Sequence, residues 1–261
     1  MQKVISVATM RASDAAEIAS GTDSKILMYR AGLGLFRSHD WHGSIDIVAG
    51  SGNNAGDGYV LALLLHDAGI PCRIILTSEK FSPDGAYYFE KCRSADIPVT
   101  REIDFSHTDI IVDCLLGTGF QGELRPNLRQ VVEQINAAHA FVISVDINSG
   151  MNGDTGEGLC VRSDLTVSIG MLKTGHLLGM ARNSIQKLYN YDIGIPCIGA
   201  YVPLYAPNEI PEEYSADFSF PAQFDEVMDS VGIPDDSSEK RLQAYAHSIW
   251  ERIRFFQVTD S

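Results

Sequence analysis

The sequence predicts a doubly wound α/β domain with a mostly parallel sheet, and three observations carry that prediction. Short apolar runs rich in Val and Ile recur between residues 45 and 193, separated by segments of helical length. The runs are apolar throughout instead of alternating, as parallel strands covered on both faces require. Three of them finish in glycine-rich or polar turns, which in a parallel sheet emerge together at the carboxyl edge where α/β proteins hold ligands.

The elements follow in order. Residues 9–20 read as a helix, with Thr9 as N-cap and Gly21 as its stop. A second helix is expected from about Ser24 to Phe36, carrying Ile26, Leu27, Ala31 and Leu35 on one face. Ile45, Ile47 and Val48 form a buried strand that runs into the polar stretch Gly50 to Gly58, and the apolar run from Tyr59 to Gly69 is a helix. Residues 72–77 are a strand, and Pro83 starts a helix reaching about Ser94. Ile97 to Ile103 is a short strand. Residues 109–116 are a buried strand ending in Gly117-Thr118-Gly119, with a helix from about Asn127 to Ala138 behind it. Residues 140–146 and 165–169 are further strands, a weak helix lies near 179–183, and 188–193 is a late strand. With no internal repeat, one domain covers residues 1–204.

Residues 205–261 form an acidic extension. No Lys or Arg lies between Lys187 and Lys240, while acids accumulate from Glu209 to Asp236 and prolines 207, 211, 221 and 234 interrupt the chain. This reads as an irregular wrapping segment whose Tyr214, Phe218, Phe220 and Phe224 argue against free disorder. After Ser238 an amphipathic helix is expected, with Leu242, Tyr245, Ala246, Ile249, Ile253 and Phe256 as its stripe. That stripe must be covered by its own subunit or by a partner chain.

Composition narrows the function classes. Hydrophobic content of 45% and charged content of 21% suit a soluble globular protein, and a net charge of −14 excludes nucleic acid and anionic membranes as natural partners. The five scattered cysteines contain no Cys-x-x-Cys pair, so neither a zinc site nor a disulfide framework is expected. The N-terminal apolar stretch is too short for a signal peptide, and no window approaches the roughly 18 apolar residues of a membrane span. A cytoplasmic protein is the expectation.

The three strand-end clusters are Gly50–Gly58, Asp113–Glu123 and Asp146–Gly150. The first lacks the Gly-Lys-Ser/Thr ending of a P-loop. Gly50, Gly52 and Ala55 do match the dinucleotide fingerprint, with Glu79 at the end of the next strand for a ribose, but Asn53, Asn54 and Asp57 are left unexplained. Asn54, Asp113 and Ser149 together offer an amide carbonyl, a carboxylate and a hydroxyl. Such hard oxygen donors suit an alkali or alkaline-earth cation, and a single carboxylate favours one of low charge.

At these residues the sequence resembles the NAD(P)HX epimerase family. The motifs are G-S-G-N-N-A-G-D-G, D-C-L-L-G-T-G, V-D-I-N-S-G with D-T-G at 154–156, and S-D-L-T-V-S-I-G-M-L-K-T-G-H, in the family's order and spacing from about Met10 to Pro196. The resemblance implies a Rossmann-like three-layer α/β/α fold, a homodimer, and a potassium ion beside the substrate. Carried over by position, it places substrate contacts at Asn53, Asn54, Ala55, Gly56 and Asp57, at Gly117, Thr118, Gly119, Phe120, Gln121, Gly122 and Glu123, and at Asp146. It places potassium at Asn54, Asp113 and Ser149. The implied activity interconverts the R and S forms of hydrated NADH and NADPH, so that a stereospecific dehydratase can repair both. Residues 205–261 are too few for a dehydratase domain.

The chain departs from the family pattern at Ala55 (usually Gly), Asn148 (usually Pro), Tyr29 (usually an acid) and Ser163 (usually Ala). Asp146, at the end of a buried strand and outside the potassium trio, is the first choice for the acid–base group. Lys173 reads either as a phosphate contact or as a solvated lysine, and His176 as structural. Two other readings stand beside the enzyme. One is a non-catalytic nucleotide binder whose acidic extension serves a protein partner; the other is a dinucleotide-dependent oxidoreductase built on Gly50–Ala55.

Overall fold

A computed structural model describes residues 1–206 and 238–258. Its elements in chain order are β1 (Gln2–Ile5), α1 (Val7–Ala19), α2 (Ser24–Arg37), β2 (Ile45–Ala49), α3 (Asn53–Asp67), β3 (Cys72–Leu76), α4 (Pro83–Ser94) and β4 (Val99–Thr100). They continue with β5 (Ile110–Cys114), α5 (Pro126–Ala137), β6 (Phe141–Val145), β7 (Ser163–Ile169), β8 (Leu172–Lys173), α6 (Ala181–Ser184), β9 (Ile185–Asp192), β10 (Val202–Leu204), α7 (Ser238–Ser248) and β11 (Ile253–Gln257). Eight strands form one sheet in the order β11-β9-β7-β6-β5-β2-β3-β4, every neighbouring pair parallel. β10, β1 and β8 form a separate small sheet.

The pleat explains why the strands read as unbroken apolar runs. Ile47, Ile74, Ile110, Val112 and Ile143 enter the core cluster under α2, α3 and α4. Their neighbours Val48, Ile75, Ile111 and Val142 point the other way, into the cluster beneath α5. Both faces are therefore covered, which gives the three-layer arrangement.

Three local differences from the sequence reading have physical causes. Helix α1 begins at Val7, because the Ser6 hydroxyl accepts the Thr9 N–H at 3.1 Å and acts as the cap in place of Thr9. Strand β1 was hidden in a stretch too short to show a period; it pairs with β8 and β10. The C-terminal stripe divides: α7 stops at Ser248, and Ile253 and Phe256 belong to β11, where their bulk suits a strand on the sheet edge. Leu242, Tyr245 and Ala246 of α7 are buried with Val4, Leu188 and Leu204 of the same chain. The helix thus docks on its own subunit, and Gln243 pins it by bonding both the N–H and the carbonyl of Tyr205. The acidic, proline-broken stretch with its aromatics lies outside the described residues.

Candidate active site at the carboxyl edge

The parallel register brings the three strand ends to one level. Ala49 of β2 pairs with Cys114 of β5, Asp113 with Ser144 of β6, and Val145 of β6 with Val167 of β7. Where the chain leaves β2, Gly50 lies so close to the Leu115 carbonyl that any Cβ would collide with it. Above these ends is a cavity of about 500 Å³ lined by Asn53, Asn54 and Asp57, by Leu115–Phe120, and by Asp146, Ile169 and Lys173. Helix α1 supplies Met10, Arg11, Asp14 and Ile18 to the same cavity. Their spacing is that of one helix face.

Asp146 sits at the end of β6 with φ of +60°, in the left-handed region. Lys173 Nζ donates to Asp146 Oδ1 at 2.5 Å and to the Ile169 carbonyl at 2.7 Å, and the lysine is 1% exposed. His176 Nε2 lies 2.7 Å from the Asp146 carbonyl oxygen, while Lys173 N–H donates to His176 Nδ1 at 3.1 Å. With Nδ1 accepting, Nε2 carries the proton, so this imidazole is neutral. Burial and the Lys173 charge hold it down at about 4. Burial pushes the Asp146 carboxyl up, but Lys173 and the Ile169 N–H outweigh it and keep the group below the usual carboxylate range.

The other carboxyls differ. Asp57 lies beside Asp146 and Asp14 with little solvent, and burial followed by those two charges pushes it well above the ordinary range. Burial lifts Asp14 to about 6, with Lys173 pulling it down and Asp146 pushing it up. The cavity therefore holds carboxyls of opposite protonation preference around one ammonium.

Beneath its rim lies a buried oxygen cluster. Asp113 is wholly buried and accepts from Ser149 Oγ at 2.5 Å, from Ser149 N and Ser144 Oγ at 2.9 Å each, and from Leu115 N at 3.3 Å. Burial raises its carboxyl, and the two bonds from Ser149 oppose the rise. Asn54 Nδ2 donates to the Leu116 carbonyl at 3.0 Å, and Ser149 Oγ accepts the Leu116 N–H at 2.9 Å. Leu116 thus ties Asn54, Asp113 and Ser149 into one cluster. Asn54 Oδ1 is buried with no hydrogen-bond partner among the described residues.

The sequence-derived positions separate cleanly. Asn53, Asn54, Asp57, Gly117, Thr118, Gly119, Phe120 and Asp146 line the cavity. Gln121, Gly122 and Glu123 continue the second loop onto the exposed surface. Ala55 is 1% exposed within the core, and Gly56 packs against Met28 and Gly85, so both face away from the cavity. Lys173 is buried and not a solvated surface lysine; it lines the cavity with its ammonium paired to Asp146. Sequence reasoning missed its pairing, although a lone cation after the apolar run 165–172 was the available signal. It also left Arg11 and Asp14 unassigned.

A fully parallel sheet with a polar, acid–base-equipped cavity at its carboxyl edge defines an α/β protein built to bind and process a small molecule at its strand ends. The chain belongs to the NAD(P)H-hydrate epimerase family: the family profile described as YjeF-related protein N-terminus matches residues 24–175. An NAD(P)H-hydrate epimerase of Limosilactobacillus fermentum is 36% identical over 184 residues, covering 67% of this chain and 88% of that protein. An epimerase of the same description from Levilactobacillus brevis is 31% identical, covering 75% of this chain and 95% of its own. A bifunctional NAD(P)H-hydrate repair enzyme of Archaeoglobus fulgidus is 35% identical over 202 residues; the match covers 74% of this chain but 42% of that longer protein. The crystal structure of a yeast protein superposes with a TM-score of 0.62 at 22% identity, over 74% of this chain and 90% of the yeast chain, which establishes the common fold.

Proposed function

We propose that the protein is an NAD(P)H-hydrate epimerase, interconverting the R and S forms of hydrated NADH and NADPH so that both can enter repair. The observation that carries this reading is the Lys173-paired Asp146 at a cavity framed by Asn53–Asp57 and Gly117–Phe120, in a chain of this family. The hydrated nicotinamide carries a hydroxyl on the carbon beside the ring nitrogen. Protonation of that hydroxyl lets the nitrogen lone pair expel water and leaves a planar iminium; water returning to the other face inverts the centre. Asp146 is the carboxylate that exchanges a proton with this water, and its negative charge opposes the positive charge of the iminium. The first-turn amides of α3, which the N-cap Gly52 offers no side chain to cap, and the Arg11 guanidinium beside Gly119 suit the phosphates of the substrate.

A potassium ion held by Asn54, Asp113 and Ser149 belongs to the same reading. The orphaned Asn54 Oδ1, joined through Leu116 and Ser149 to the wholly buried Asp113, fits a hard cation of low charge. When bound, the ion would supply a fixed positive charge beside the substrate. Assembly as a homodimer in the cytoplasm rests on the family resemblance and, for the compartment, on five free cysteines.

The departures from the family pattern favour the enzyme over a silent binder, because none alters the cavity lining. Ala55 faces the core, Tyr29 is 42% exposed and does not line the cavity, and the Asn148 side chain points away, into a buried network with Ser163. The test supplies purified R hydrate and follows the S hydrate by chromatography. Conversion faster than the protein-free blank supports the reading. Binding at the blank rate would make the protein a nucleotide binder, and NAD-linked redox turnover would make it an oxidoreductase.

A further inference from the structure

Inverting a centre by losing water from one face and regaining it on the other calls for proton transfer on both faces. Asp146 enters the cavity from the sheet edge. Asp14 enters the same cavity from a different element, α1, and has no hydrogen-bond or ion-pair partner among the described residues. The helix that carries it is fixed at its first residue and again beside Asp14. Asp154 Oδ1 accepts the Val7 N–H at 2.7 Å, and the buried Ser13 hydroxyl accepts the Ile198 N–H at 2.9 Å. An unpaired carboxyl on an anchored helix, next to an ionised one, is the arrangement that two-faced proton transfer needs.

We propose that Asp14 is the second acid–base residue, serving the face of the nicotinamide ring that Asp146 does not. The inference rests on the epimerase reading. On one stroke the Asp14 carboxyl gives its proton to the departing hydroxyl, the C–O bond breaks, water leaves, and the ring nitrogen lone pair closes the iminium. Water on the opposite face then forms the new C–O bond and releases its proton to the Asp146 carboxylate. No oxidant or reductant is required; one proton has passed from Asp14 to Asp146, and solvent at the open cavity restores the starting state. Asp14, held near 6 by burial, can both give and take a proton at neutral pH. Burial, followed by the charges of Asp146 and Asp14, pushes the Asp57 carboxyl well above the ordinary carboxylate range, which favours its protonated, hydrogen-bond-donating form.

The test places each pure epimer in heavy-oxygen water with the wild type, Asp14→Asn or Asp146→Asn and measures both label uptake and interconversion. The wild type is expected to do both. Asp14→Asn should interconvert the epimers at least about 100-fold more slowly, the usual scale for a lost acid–base group. It should still wash label into one epimer with retention, because the Asp146 face remains competent. Asp146→Asn should show the mirror-image preference. Interconversion by folded Asp14→Asn at the wild-type rate would overturn the proposal, and so would equal loss of label uptake from both epimers. Asp14→Ser carries the same comparison should the amide variant fail to fold. A wild type that neither exchanges nor interconverts would refute the epimerase reading itself, a separable result.

Discussion

His176 Nε2 lies 2.7 Å from the main-chain carbonyl of Asp146. That bond, with the Lys173 ion pair on the side chain, holds Asp146 from two directions in a backbone conformation that L-residues seldom adopt. The site residue is thereby preorganised in both backbone and side chain, and these two contacts come from one short segment, residues 173–176.

Replacing Lys173 with Met removes the partner of a mostly buried carboxylate. The expected cost is about 3–5 kcal/mol in urea unfolding, the range for a broken buried pair. Asp146 loses the charge that keeps it below the ordinary range, so the acid limb of the activity profile should move to higher pH. An unchanged limb would separate Lys173 from the control of Asp146.

His176 makes stability depend on pH with a definite sign. Its folded value, about 4, lies below the ordinary 6.5, so the unfolded chain binds the proton first as pH falls. The stabilisation is complete above 6.5, declines as pH falls through this window, and is lost by about 4. The full window corresponds to about 3 kcal/mol. His176→Gln should lack that part of the dependence, read as the difference between the two proteins' unfolding free energies at each pH.

Asn148 and Ser163 explain each other. The Asn148 amide donates to Ser163 Oγ at 3.0 Å and to the Val161 carbonyl at 2.8 Å, and Asn148 Oδ1 accepts from Thr166 at 2.6 Å, all fully buried. Asn148→Pro alone strips these bonds from buried groups, although Ser163 and Thr166 keep each other at 2.8 Å, and should cost about 2–3 kcal/mol. Combined with Ser163→Ala, the loss should be smaller than the sum of the single losses, a coupling of about 0.5–3 kcal/mol. Strict additivity in denaturant unfolding would sever the link.

The orphaned Asn54 oxygen gives a prediction about the cation. Potassium chloride should raise the melting temperature of the wild type more than an equal concentration of tetramethylammonium chloride does, because a bound ion stabilises only the folded state. Asn54→Ala should abolish the difference. A difference that survives in Asn54→Ala would move the ion elsewhere.

The architecture was legible because it is written in periods. Unbroken apolar runs and helix-length spacers locate the central parallel strands, and the turns at Gly50, Gly117 and Asp146 mark one edge. Short elements were not legible: β1 and β8 span four and two residues, too few to carry a period. β11 resembled the end of a helix because Ile253 and Phe256 continue the helical spacing of α7, and only the open edge of β9 decides otherwise. At the site, motif positions gave the loops but not the facing of side chains. Ala55 and Gly56 lie between cavity-lining neighbours, and the helical turn aims them inward. Lys173 looked like any surface lysine, because the carboxylate that buries it lies 27 residues away in sequence.

The central claim is that Asp146, held ionised by Lys173, drives exchange between the hydrate epimers. Its most direct test supplies the R hydrate with an excess of a purified S-specific dehydratase and follows NADH recovery by absorbance. Wild-type protein should accelerate recovery well above the uncatalysed rate, and folded Asp146→Asn should fall at least about 100-fold toward it. Recovery by Asp146→Asn at the wild-type rate would contradict the account.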